Sequence, residues 1–276
     1  MDECAGETPG EALGVYARHE LEAAIARLGW RGGRRHAGIH QARKSVRRAR
    51  AALALGADTL GAGAAMVDRE LRRINDGLSA LRDAQALVET LDRRLSLDHD
   101  PATMRVLRRV RRVAAAARAV AAREALAADP GLAGRRAMLG VLCAAMAALP
   151  WRAVPASRLH ASLADSQSRM DQARERALAS GGDEDWHRWR RRARRLSQQR
   201  RALHSAGLQA ELPREHAAFD KHTTERLGVA QDLNLLLEHC GRRSPFSKPD
   251  RRALRQHAAP DLARLRRRIR HAARGR

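Results

Sequence analysis

Aromatic residues are nearly missing from this chain of 276 residues: four Trp, two Phe and one Tyr account for 3% of it. Strands draw on aromatic and β-branched side chains, whereas Ala, Leu, Arg and Glu, which dominate here, favour helix. An all-α fold is expected. Cysteine is scarce as well. Cys4, Cys143 and Cys240 lie far apart with no C-x-x-C pair, which excludes a zinc ribbon and a secreted disulfide framework and points to a reducing cytoplasm. The longest apolar run, Ala137 to Leu149, falls short of the roughly 20 residues that span a bilayer. The opening MDECAGETPG is acidic where a signal peptide is basic, so no membrane association is expected. Lysine is rare too, with only Lys44, Lys221 and Lys248 among 54 basic residues. Acidic residues number 31, which leaves a formal charge of +23. An excess of that size implies a polyanionic partner.

Proline and glycine place the helix ends. Leu13, Ala17, Leu21, Ala24 and Leu28 recur at three and four, which predicts a helix over 11–29. Ile39, Ala42, Val46, Ala49 and Leu53 repeat the pattern from Ile39 to near Gly56. Further helices are expected over 62–80, 83–96, 102–128, 132–148, 157–179, 184–206, 213–226, 229–240, 250–258 and 261–273. Short connections of this kind make antiparallel bundles. Pro150 and Pro155 mark the clearest internal break. It divides the chain into a flexible start over 1–10, a first bundle over 11–149 and a second over 150–276.

The halves carry the same signals in the same order, as a duplication would leave them. His40-Gln-Ala-Arg-Lys-Ser-Val-Arg-Arg-Ala-Arg50 has basic residues at three, four, seven, eight and ten positions after its histidine, and His187-Arg-Trp-Arg-Arg-Arg-Ala-Arg-Arg has them at three, four, seven and eight. Later, Leu78-Ser-Ala-Leu-Arg-Asp lines up with Leu227-Gly-Val-Ala-Gln-Asp. On a helix turning about 100° per residue, His40, Arg43, Lys44, Arg47 and Arg50 form a stripe beside the apolar seam rather than opposite it. His187, Arg190, Arg191, Arg194 and Arg195 do the same beside Trp186, Trp189, Ala193 and Leu196. Such stripes line a groove or channel, and each tracks roughly 10 Å of an anionic chain. Arginine holds a phosphate through its planar fork, and histidine adds a donor whose charge depends on pH. Like charges stacked along one helix oppose folding, so the stripes call for a ligand.

No catalytic constellation is found. Ser45, Ser197 and Tyr16 have no triad context, and neither a phosphate-binding glycine loop nor a nucleophile elbow is present. His36 and His40 are spaced like metal ligands but lack the intervening glutamate and a third ligand, so no metal and no cofactor are assigned. Asp83 and Asp232 are read as structural acids that cap a leucine-bearing helix or pair with arginine.

The pattern H-x-x-R-K-x-x-R-R-x-R in one half, H-x-x-R-R-x-x-R-R in the other, and L-x-x-x-R/Q-D after each resemble the conserved histidine α-helical domain, CHAD. The resemblance covers the chain from about residue 11. It implies two four-helix bundles packed with pseudo-twofold symmetry about a basic surface, and inorganic polyphosphate as a ligand bound without turnover. On matching positions it places His40, Arg43, Arg47, Arg48 and Arg50 in the first half and His187, Arg190, Arg194 and Arg195 in the second, with Arg72, Arg73 and Lys221 added from the helix before each aspartate motif. Ser197 stands where a further basic residue is expected and Gln231 where the first half has Arg82, so the second half is expected to grip less. The E-x-E-x-K signature of the triphosphatase often fused to such domains is missing, since Glu20 and Glu22 are followed by Ala24. The expectation is a cytoplasmic, non-enzymatic polyphosphate binder, associated with polyphosphate granules. Nonspecific binding of nucleic acid remains the alternative, although base stacking needs more aromatics than this chain has.

Overall fold

The computed structural model describes residues 8–97, 100–208, 217–241 and 244–274. Their helices are α1 (Pro9–Leu28), α2 (Arg35–Gly77), α3 (Ser79–Leu97), α4 (Pro101–Ala128), α5 (Ala133–Ala147), α6 (Ala156–Ser180), α7 (Asp183–Ser205), α8 (Ala217–Glu238) and α9 (Lys248–Arg274), and no strand occurs among the described residues. The fold is all-α, as the composition requires.

Local signals explain most of the ends. Thr8 caps α1 in a reciprocal box with Glu11, ahead of Pro9, so the expected flexible start over 1–10 already holds the first helical residues. Asp100 caps α4 by accepting from the Thr103 amide at 2.8 Å, with Pro101 at the first helical position. Between the halves, the proline-bracketed segment is not a loose linker. Trp151 and Val154 are buried against α1, and Trp151 Nε1 donates to the Met146 carbonyl at 2.8 Å. Gly14 makes this approach possible, because a Cβ there would lie 2.7 Å from the indole Cγ of Trp151.

Three expected breaks are absent. The chain stays helical through Gly56, which is buried beside Leu60 and Val154, and departs from helical angles only at Gly61, with φ 71° and ψ −156°. The expected helices over 213–226 and 229–240 are joined in α8 from Ala217 on, and 213–216 lie outside the described residues. Gly228 lies between buried Leu227 and Ala230, and packing on both sides outweighs a glycine cost of about 1 kcal/mol. Pro260 sits inside α9. It removes one backbone hydrogen bond, yet Leu254, Ala258 and Leu262 continue the same buried face past it.

The two cores do not follow the two halves of the sequence. One cluster is built mainly from α1, α2, α5, α6 and α7, joined at its edge by Leu81, Leu227 and Ile269, and the other is built from α3, α4, α8 and α9. Each bundle therefore takes one helical hairpin from each half: α1–α2 with α6–α7, and α3–α4 with α8–α9, while α5 covers α1 and α2. This corrects the expectation of one bundle over 11–149 and another over 150–276. Amphipathic hairpins bury their seams against whichever partner matches, and the duplicated hairpins match across the break.

Candidate polyanion-binding site

The seams of both motif helices are buried as expected: Ile39, Ala42, Val46, Ala49 and Leu53 on α2, and Trp186, Trp189, Ala193 and Leu196 on α7. Because α2 packs on α7, the basic stripes beside those seams meet. Arg194, Arg43, Arg190 and Arg82 surround Arg47, and Arg190, Arg43 and Arg191 surround Arg194. Two stripes far apart in sequence thus form one cationic cluster across the α2–α7 contact.

Burial first, and these neighbouring guanidiniums second, push Arg47 down to about 8 and Arg194 down to about 10. A guanidinium does not readily release its proton, so the charge stays in place and its cost, desolvation first and repulsion second, opposes folding. Arg43 and Arg190 are lowered mainly by burial. Asp83 and Asp76 oppose the shift at Arg43, and Asp232 and Asp83 oppose it at Arg190. The Nε atoms of Arg43 and Arg47 are buried without a hydrogen-bond partner among the described residues. Buried donors of this kind are unfavourable unless an acceptor reaches them.

The remaining expected residues are sorted by their partners. Arg43 Nη1 donates to the Asn75 carbonyl and, at 3.0 Å, to Ser79 Oγ, so it also fastens the corner where α2 passes into α3. His40 lies at this corner, facing Arg82 and Glu89, and is lowered to about 4 by burial and then by Arg82. Lys44 is lowered by burial and by Arg48 and Arg201. His187 Nδ1 donates to Gln231 Oε1 at 2.8 Å.

Other members of the set are held in ion pairs. Arg48 is paired with Glu20 at 2.9 Å, with both side chains nearly buried. Glu20 also accepts from Ser45 Oγ at 2.5 Å, and Ser45 in turn accepts from Arg27. Arg50 grips Asp68 through two bonds of 2.8 and 3.1 Å. Arg72 reaches the same carboxylate at 3.5 Å, and Asp68 also faces Arg195. Arg73 and Arg191 are exposed and paired with Glu70 and Glu184. The Lys221 side chain lies outside the described residues.

Asp83 and Asp232 are not caps. Asp83 lies in the second turn of α3, and Asp232 lies far inside α8, where Arg93 of α3 reaches it at 3.4 Å. Both instead temper the arginine cluster. Arg82 is the member that the stripes did not contain. It faces His40, Arg43, Arg47 and Arg190, and its only sequence signal was its place before the aspartate of the repeated motif. No group of three or more His, Cys, Asp or Glu side chains among the described residues could hold a metal, and no described helix is long and apolar enough to cross a membrane.

Comparison with known proteins agrees with this fold. No curated protein matches the chain. A crystal structure of the CHAD domain from the plant Ricinus communis superposes with a TM-score of 0.65 at 22% identity, covering 99% of this chain and 94% of that one, which establishes a shared fold. The CHAD domain family model matches residues 15–241. With the duplicated histidine motifs on facing helices of that fold, the chain belongs to the CHAD domain family.

Proposed function

We propose that this protein binds inorganic polyphosphate without turning it over, through the cluster that α2 and α7 build together. One observation carries the reading: Arg43, Arg47, Arg190 and Arg194 converge from both halves, with burial and mutual repulsion that a polyanion relieves. A flexible chain of phosphates supplies negative charge at short regular intervals, and each neutralised phosphate releases counterions. Arginine forks offer paired donors to each phosphate. Arg48 and Arg50, held by Glu20 and Asp68, support the helix that carries the cluster. The family resemblance points to the same ligand, and a cytoplasmic binder of this kind is suited to association with polyphosphate granules.

The test is a competition titration at near-physiological salt. Labelled long-chain polyphosphate is displaced by unlabelled polyphosphate, duplex DNA or single-stranded RNA at equal phosphate concentration. Polyphosphate is expected to win by at least tenfold, with affinity falling steeply as salt rises and with no phosphate released. Equal competition by nucleic acid would make the cluster a general electrostatic surface, and release of phosphate would make the protein an enzyme.

A further inference from the structure

The cationic ground extends past Arg82 to a corner formed by α2, α3 and α4. His36 opens α2 one turn before His40. Lys44 and Arg47 of α2, with Arg82 and Glu89 of α3, face His40. Arg35 of α2, Glu89 of α3 and Arg118 of α4 face His36. The guanidiniums of α7 enter further along, at Arg47. Glu89 is the only carboxylate among these groups, and it lies 3.2 Å from Arg82. Arg118 is steadied by Gln85, whose Oε1 accepts from Nη1 at 2.8 Å.

Two nitrogens at this corner, His36 Nδ1 and Arg118 Nε, are buried without a hydrogen-bond partner among the described residues, while Arg82 Nη1 is engaged by Glu89. The start of α2 has neither a side-chain cap nor an acid in its first turn, so its amide dipoles add positive potential beside His36. Burial and the neighbouring arginines hold both imidazoles neutral near pH 7, His40 with a value of about 4. A phosphate placed here would reverse the sign of the field on both rings.

We infer that His36, His40, Arg82 and Arg118 form a further phosphate subsite of the polyanion track, one that reaches full charge only when occupied, by taking up protons from solvent on its two imidazoles. The inference rests on the polyphosphate reading above and adds a regulation to it: the grip tightens as pH falls. Linkage gives the sign. A ligand that raises the proton affinity of a group binds more tightly below the raised value. If the ligand returns His40 alone from about 4 to an ordinary histidine value, affinity should rise about tenfold between pH 8 and pH 5.5. Only the chain ends of the ligand titrate in that range, at about pH 6, so long chains isolate the protein's contribution.

The experiment uses the full-length protein and long-chain polyphosphate at fixed ionic strength. Affinity is measured at pH 8 and pH 5.5, and proton uptake is measured by calorimetry at pH 6 in two buffers of different ionisation enthalpy. The expected result is about tenfold tighter binding at the lower pH with net proton uptake, and loss of both the slope and the uptake in the His36→Gln/His40→Gln variant. Arg118→Gln should weaken binding more at pH 5.5 than at pH 8. Binding at pH 8 without slope or uptake would overturn the inference and leave the polyphosphate reading standing, as would a slope that survives in the double histidine variant. Absence of binding at pH 8 and pH 5.5 alike would overturn both.

Discussion

Arg47 separates ligand binding from folding at a single side chain. Burial, and then repulsion from Arg194, Arg43, Arg190 and Arg82, weakens its hold on the proton, and because a guanidinium keeps that proton the unfavourable charge stays in place at neutral pH. Because the folded state holds this proton less tightly than the unfolded chain does, the charge opposes stability at neutral pH. Arg47→Met, which keeps the stem and removes the charge, should therefore raise the melting temperature by a few degrees at pH 7 while weakening polyphosphate binding at least severalfold. Thermal melts and the competition titration check the two effects separately, and a lowered melting temperature would make Arg47 structural. Arg43 gives a less clean test, since it also bonds Asn75 and Ser79 at the α2–α3 corner. The stripe of cations was legible in the sequence. Its division into clustered cations and cations held by carboxylates was not, because Glu20 and Asp68 reach Arg48 and Arg50 from other helical turns.

At the scale of the element, small residues decide where helices touch. Gly14 lets α1 lie against the indole of Trp151, and a Cβ there would be 2.7 Å from Cγ. Gly14→Ala should destabilise the fold by about 1–3 kcal/mol, the usual cost of overpacking, with polyphosphate affinity unchanged. Gly140 on α5 has nothing within 4 Å of the same position, so Gly140→Ala should stabilise by up to about 1 kcal/mol through helix propensity. Urea denaturation midpoints of the two variants should move in opposite directions. The helix start at Pro101 is placed from the sequence, whereas the start at Thr8 and Pro9 is missed, since the first helix is expected only from residue 11. The continuity of α8 through Gly228 and of α9 through Pro260 is missed as well, because buried residues on both sides outweigh the local preference to break.

For the whole molecule, interleaving of the halves has a mechanical consequence. Each bundle needs a hairpin from either side of the Pro150–Pro155 segment, so neither half can bury both of its seams alone. Residues 1–149 and 150–276 expressed separately should each lack a cooperative unfolding transition. Co-expressed, they should assemble into a helical complex that binds polyphosphate. A cooperative melt from either fragment alone would contradict the interleaved cores. The same arrangement accounts for the site: α2 and α7 meet because they share a core, and only then do the arginines of both halves meet.

Composition, periodicity and repeated motifs determined on their own that this chain is helical, strongly basic and internally repeated. Those properties are local or additive. Helix propensity and net charge are summed along the chain, and a repeat is visible wherever spacing is kept. The tertiary structure decided which hairpins share a core, which arginines face one another and which are held by carboxylates. It also brought Arg82, Arg118 and His36 to one corner. Those outcomes depend on contacts between residues far apart in sequence, where packing and desolvation act through the closeness of groups in space rather than their order along the chain.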